Sequence, residues 1–169
     1  MYIKYGVISA LVYSLIEIAF FIAFGNSIGF TTKFFIDFII LNLVLYIFLY
    51  FPIRNKIYSL SDGRYYYGEG MKSGFGMTFV AAIMIVIFTY IYYTYINKDF
   101  FKMVDTDTIS HINKSTLDSL KKSSSIKTLI ANSSPVTLML QQFAFTIISG
   151  MVASFILAAF ISSFRKKSK

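Results

Sequence analysis

Four long apolar runs, at residues 5–24, 34–51, 74–96 and 143–164, decide what this chain can fold into. A helix rises 1.5 Å per residue, so about 20 residues cross the roughly 30 Å of a bilayer's hydrocarbon. Within these runs only Glu17 and Asp37 are charged, which makes lipid a better solvent for them than water. The expected fold is all-α: a four-helix transmembrane bundle forming one membrane domain over residues 1–169, with a partly helical extracytoplasmic loop, 97–134, between the third and fourth helices.

Composition narrows the function classes. With 56% hydrophobic and 14% charged residues and a mean hydropathy of +0.65, the chain is too apolar for the surface of a small soluble domain. No cysteine is present, which removes disulfides, thiolate chemistry and cysteine metal sites. The formal charge of +8 is scattered around helix ends rather than gathered in a basic stripe interleaved with aromatics, which argues against a nucleic-acid partner. Lys4 before the first run, and Ala23-Phe24-Gly25 near its end, loosely imitate a cleaved secretory signal. The run is too long for one and Glu17 interrupts its centre, so it is read as a span.

Orientation follows the cations. Lys4, Arg54, Lys56, Arg64, Lys72, Arg165, Lys166, Lys167 and Lys169 fall on one side in short segments; Lys33 and six lysines of the long third loop fall on the other. Density places the first side, with both termini, in the cytoplasm. Tyr46, Tyr50 and residues 65–67 then form the inner aromatic belt, and Tyr90, Tyr92, Tyr93 and Tyr95 the outer one.

The connections differ in length. Residues 25–33 read as a tight outer turn, and 52–73 as an inner loop marked by Ser61-Asp62-Gly63. The third loop reads as two short helices. The first carries Ile109, Ile112, Leu117 and Leu120 behind an Asp105 cap; the Lys121 to Ser125 tract breaks the pattern, and residues 126–131 form the second. Ser134 and Pro135 supply an N-cap and a first helical position, so the last helix begins ahead of its apolar run.

In lipid, helices associate through close packing of small residues. The fourth span carries Gly150, Ser154, Ala158 and Ser162 at intervals of four, the third Gly74, Thr78 and Ala82, and the first Gly6, Ala10 and Ser14. The third and fourth rows share a depth and are expected to face each other, with a homodimer seam as the alternative. An ionised carboxylate near mid-bilayer costs about 2.5–3.5 kcal/mol on insertion scales, so Glu17 must face protein or water. Glu17 lies eight residues before Gly25, and Asn42 eight after Phe34 on the antiparallel second span. Equal depth makes a Glu17–Asn42 hydrogen bond the expected pairing, with a proton or cation site at Glu17 as the alternative.

Other polar residues carry less. His111 sits in the lysine-rich loop as a solvated side chain; Asp105 and Asp107 lack the rest of a calcium-loop frame. Gly68-Glu69-Gly70 has neither the strand nor the Gly-Lys-Ser/Thr of a phosphate cradle. The basic tail from Arg165 anchors the last helix to anionic headgroups. No metal, cofactor or catalytic grouping is expected.

The stretch Tyr65-Tyr66-Tyr67-Gly68-Glu69-Gly70-Met71-Lys72-Ser73-Gly74-Phe75 runs into a span ending Tyr92-Tyr93-Thr94-Tyr95-Ile96 and then Asp99-Phe100. Together with Lys4-Tyr5-Gly6 and Ser134-Pro135, it resembles the domain-of-unknown-function family 4199, four-helix membrane proteins of bacteria. The resemblance implies this topology and residence in the bacterial inner membrane, and no chemistry. The expected role is that of a non-enzymatic accessory or structural subunit, with the lipid bilayer and another membrane protein or a second copy as partners. The competing expectation is a small transporter or channel component using Glu17.

Overall fold

The computed structural model describes residues 2–25, 27, 30–60, 66–114, 119–132 and 134–167. The elements are α1 (Tyr2–Phe24), α2 (Phe30–Ser59), α3 (Tyr66–Ile91), a π-helical turn (Tyr92–Ile96), α4 (Phe100–Lys114), α5 (Ser119–Asn132) and α6 (Pro135–Lys167). Helices α1, α2, α3 with its π turn, and α6 contain the four segments long and apolar enough to cross a membrane. Among the described residues there is no strand.

The bundle runs up-down-up-down. Helix α1 lies parallel to α3: Gly6 meets Met77 and Val80, Tyr13 meets Phe88, and Phe21 meets Tyr92. Helix α6 runs antiparallel to α3 and parallel to α2. Both termini therefore fall at one end, called proximal here, and the α4–α5 insertion at the distal end. Helices α2 and α3 pack together in the middle, with α1 and α6 at opposite corners. The core between them holds Leu45, Leu49, Ile53, Ile57, Met77, Ala81 and Ile85, all essentially sealed from solvent. On the outside, Leu15, Ile22, Ile39, Leu43, Leu140, Ile148 and Ile156 point away from the bundle, as a surface solvated by lipid tails requires.

Several boundaries differ from the sequence expectation. Residues 52–59 continue α2 through Pro52 instead of opening a loop, and α3 starts at Tyr66 instead of Gly74. Proline removes a single N–H and is tolerated in a membrane helix where neighbours pack the site. Pro52 is buried, and Ser73 Oγ of α3 donates to its carbonyl at 3.1 Å. The connection is thereby cut to residues 60–65, and Ser61-Asp62-Gly63 lies outside the described residues. At the start of α6, Ser134 Oγ accepts the Thr137 N–H at 3.2 Å, closing the cap ahead of Pro135.

The insertion is also arranged differently. Helix α4 begins at Phe100, so Asp105 is an interior residue and caps nothing. Helix α5 passes straight through Lys121 to Ser125, because lysine and serine are acceptable on an exposed helix face. Helix α4 ends at Lys114 and α5 starts at Ser119; residues 115–118, Leu117 among them, lie outside the described residues, as do the side chains of Leu120, Asp107, His111 and the tail from Arg165. Phe100 and Val104 bury against Tyr92 and Tyr93, and Lys122 Nζ donates to the Asn113 carbonyl at 2.9 Å, tying α5 to α4.

The small-residue rows meet where α3 crosses α6. A Cβ on Gly74 would overlap Ser154 Oγ, and one on Gly150 would overlap the Thr78 side chain. Ala82 and Ala158 are fully buried. Ser154 Oγ donates to its own helix at the Gly150 carbonyl, 2.6 Å away, while the buried Thr78 Oγ1 has no partner among the described residues. On α1, a Cβ at Gly6 would stand 2.8 Å from the Met77 carbonyl, close enough to force α1 off α3.

Candidate functional site

A group of three charges is buried near the distal end. Glu17 of α1 faces Lys33 and Asp37 of α2; Lys33 Nζ donates to Glu17 Oε2 at 3.1 Å and to Asp37 Oδ2 at 2.7 Å. Only 3% of the Glu17 side chain and 4% of the Lys33 side chain are exposed, against 16% for Asp37. The arrangement follows from helix geometry. Because α2 starts at Phe30, Lys33 and Asp37 stand one turn apart on a single face. The antiparallel α1 brings Glu17 to that face. The Phe20 ring lies 5.7 Å from Lys33 Nζ, adding a favourable aromatic face to the ammonium's surroundings.

Lys33 precedes the apolar segment Phe35–Ser59. Burial alone would favour its neutral form, but the attraction of Glu17 and Asp37 and the two hydrogen bonds outweigh it, holding its pKa above the ordinary lysine value. The ammonium is thus retained. Counted with all three groups ionised, the cluster carries one negative charge in excess. Glu17 Oε1 and Asp37 Oδ1 are buried with no hydrogen-bond partner among the described residues.

These charges border a cavity of about 40 Å³. Its walls come from six elements: Tyr13 of α1, Leu41 of α2, Phe88 and Thr89 of α3, Tyr92 and Tyr93 of the π turn, Phe100 of α4 and Gln142 of α6 complete it. Gln142 Nε2 donates to Tyr13 OH at 2.9 Å, which is where the corner helices α1 and α6 reach each other. The π turn matters locally. Its consecutive residues Tyr92 and Tyr93 both turn inward. Their rings pack at 4.8 Å, Tyr93 continues onto Phe100 at 4.7 Å, and Asn97 N–H closes the turn on the Tyr92 carbonyl at 2.8 Å. Tyr92 and Tyr93 are therefore core residues and not members of an interfacial belt, whereas Tyr90 and Tyr95 are exposed.

Glu17 and Asn42 do not meet. Neither depth nor azimuth is shared: Glu17 lies level with Lys33 and Asp37 in the α1–α2 seam, and Asn42 stands more than a turn further along α2 and points to the groove between α2 and α6. There Asn42 Nδ2 donates to the Phe38 carbonyl at 2.7 Å, Ser149 Oγ hydrogen-bonds Asn42 Oδ1, and Tyr46 OH lies 3.1 Å from Ser149 Oγ. The polar ladder lies in an open groove whose walls are Phe38, Ile39, Leu43, Phe145, Ile148 and Val152. A third polar group sits at the proximal end, where Glu69 pairs with Lys72 at 2.8 Å and Lys56 at 3.5 Å.

Lys33 was missed as a site residue because it stands just before the apolar run and reads as a loop cation. The signal was its i,i+4 spacing to Asp37. Chemically, the cluster can hold or release one positive charge. Among the described residues no three histidine, aspartate or glutamate side chains converge on a point.

Four apolar spans, an up-down-up-down bundle and buried charges within it define a multi-pass membrane protein. The model of a family described as a protein of unknown function, DUF4199, matches residues 4–163, and the chain belongs to that family. No curated protein and no solved structure matches it.

Proposed function

We propose that this chain is a non-enzymatic accessory or structural subunit of a membrane assembly, resident in a bacterial inner membrane with both termini cytoplasmic. The observation that carries this reading is the ladder of Asn42, Ser149 and Tyr46 on the outer side of the bundle. Polar side chains directed at hydrocarbon are unfavourable, and in membranes asparagine, serine and similar groups join one helix to another. A neighbouring transmembrane helix, from a second copy or another protein, fills the groove and shields them. The orientation rests on cation density alone.

The test uses the absence of native cysteine. Single cysteines at Leu43 and Ile148, both on the groove, are expected to give higher-mass adducts with a short bifunctional maleimide in native membranes. A cysteine at Leu15, on the opposite lipid face of α1, is the control. Identical behaviour of all three positions would contradict a protein neighbour in the groove.

A transporter or channel component is the second reading, favoured by the buried Glu17 and Asp37 carboxylates. Against autonomous conduction, the space beneath the cluster is filled by the closely packed Leu45, Leu49, Met77, Ala81 and Ile85. Purified protein in liposomes is expected to add no sodium, potassium or proton flux. Flux that disappears in a folded Glu17→Gln variant would establish the second reading instead.

A further inference from the structure

We infer that the Glu17–Lys33–Asp37 cluster is a binding site for one small monovalent cation, reached from the distal end and having no exit through the bundle. The inference is independent of the assembly reading, because it concerns the isolated chain. Three observations carry it.

The first is the charge count. Two carboxylates share a single ammonium, leaving one negative charge in a region walled by Tyr13, Phe88, Tyr92 and Tyr93. An uncompensated buried charge is costly, and one added positive charge makes the cluster neutral. A divalent ion would instead leave an excess positive charge beside Lys33. The second is the direction of the free acceptors. Glu17, 3% exposed, borders the cavity and keeps Oε1 without a partner, and Asp37 Oδ1 is likewise unsatisfied among the described residues. Lys33 is already committed at 2.7 and 3.1 Å on the other oxygens, so these two acceptors are available to a further positive group. The third is size. A cavity of about 40 Å³ accommodates an ion or a water-sized group and excludes an organic amine. The remaining polar neighbours are the hydroxyls of Tyr13, Thr89, Tyr92 and Tyr93 and the amides of Gln141 and Gln142, all neutral, and among the described residues lining the cavity Lys33 is the only cation.

Protons and sodium or lithium share the required chemistry, and the experiment separates them. The purified full chain is heated in detergent with chloride salts at constant ionic strength. In one arm choline is replaced by sodium or lithium at pH 8.5; in the other, pH is lowered from 9 to 6 in choline alone. Tyrosine emission, which reports on Tyr13, Tyr92 and Tyr93 among the chain's tyrosines, is followed in parallel. A saturable rise in melting temperature is expected in at least one arm. A response to sodium or lithium identifies a metal cation, and a response to pH alone identifies the proton. Glu17→Gln is expected to fold and to lose the response, because the cluster is then neutral without a ligand. Lys33→Met, if it folds, should show a larger response than the native chain. The inference is overturned if neither arm moves the native protein more than Glu17→Gln, or if magnesium or calcium stabilises it and monovalent ions do not. Because the readout is binding in detergent, it fails or succeeds independently of the groove cross-links.

Discussion

Glu17 and Lys33 form an ion pair at 3.1 Å, inside the bundle, between helices that the apolar pattern alone would place a loop apart. Burying two charges is costly, and their attraction repays that only when the geometry is good and the remaining atoms are satisfied. Asp37 supplies the second acceptor for Lys33, so the ammonium is well held and the excess lies with the carboxylates. This asymmetry governs how the cluster answers mutation.

Packing of α3 against α6 gives a separate prediction. Ser154 fills the space above Gly74, so Ser154→Leu has no room and should destabilise the fold by about 1–3 kcal/mol. Ile156→Leu, on the lipid-facing side of α6, should change stability little. Thermal unfolding of both variants in one detergent checks the contrast; an unaltered Ser154→Leu protein would show that this face is not an interface.

Gly150 offers a stricter version of the same test. A methyl there meets Thr78 directly, yet in an isolated helix alanine is preferred over glycine by about 1 kcal/mol. Gly150→Ala should therefore be destabilising in the native chain and should recover when combined with Thr78→Ala or Thr78→Gly. Additive losses in the double variant would show that the two positions do not touch.

Topology is checked by labelling. Ser124 is exposed on α5 of the distal insertion, and Ser168 lies beyond the described residues at the other terminus. In intact cells, a cysteine at Ser124 should react with a membrane-impermeant maleimide and one at Ser168 should not. The opposite pattern, or labelling of both, would reverse or dissolve the proposed orientation.

The four spans and the capped start of α6 were legible in the sequence because length, apolarity and the Ser134-Pro135 signal are local properties. The small residues were legible too, since a spacing of four fixes one helix face without knowledge of the partner. Glu17's partner was not. Counting residues from Phe34 selected Asn42, but α2 starts earlier, at Phe30, so the level of Glu17 falls at Lys33 and Asp37, on the face of α2 toward α1. The inward turn of Tyr92 and Tyr93 was equally hidden, because a π turn has no signal in the apolar period that marks the span. Helix α2 passing Pro52 depended on the tertiary packing of α3 beside it.

The most direct test of the account compares Lys33→Met with Glu17→Gln in thermal unfolding at pH 8. Removing Lys33 leaves two buried carboxylates facing each other, and a loss of about 3–5 kcal/mol is expected, the scale for breaking a buried pair from one side. Glu17→Gln leaves Lys33 paired with Asp37 and relieves the excess charge, so stability should be unchanged or improved. The reverse result, a neutral Lys33→Met with a strongly destabilised Glu17→Gln, would mean that Lys33 extends to solvent and that Glu17 finds its partner elsewhere.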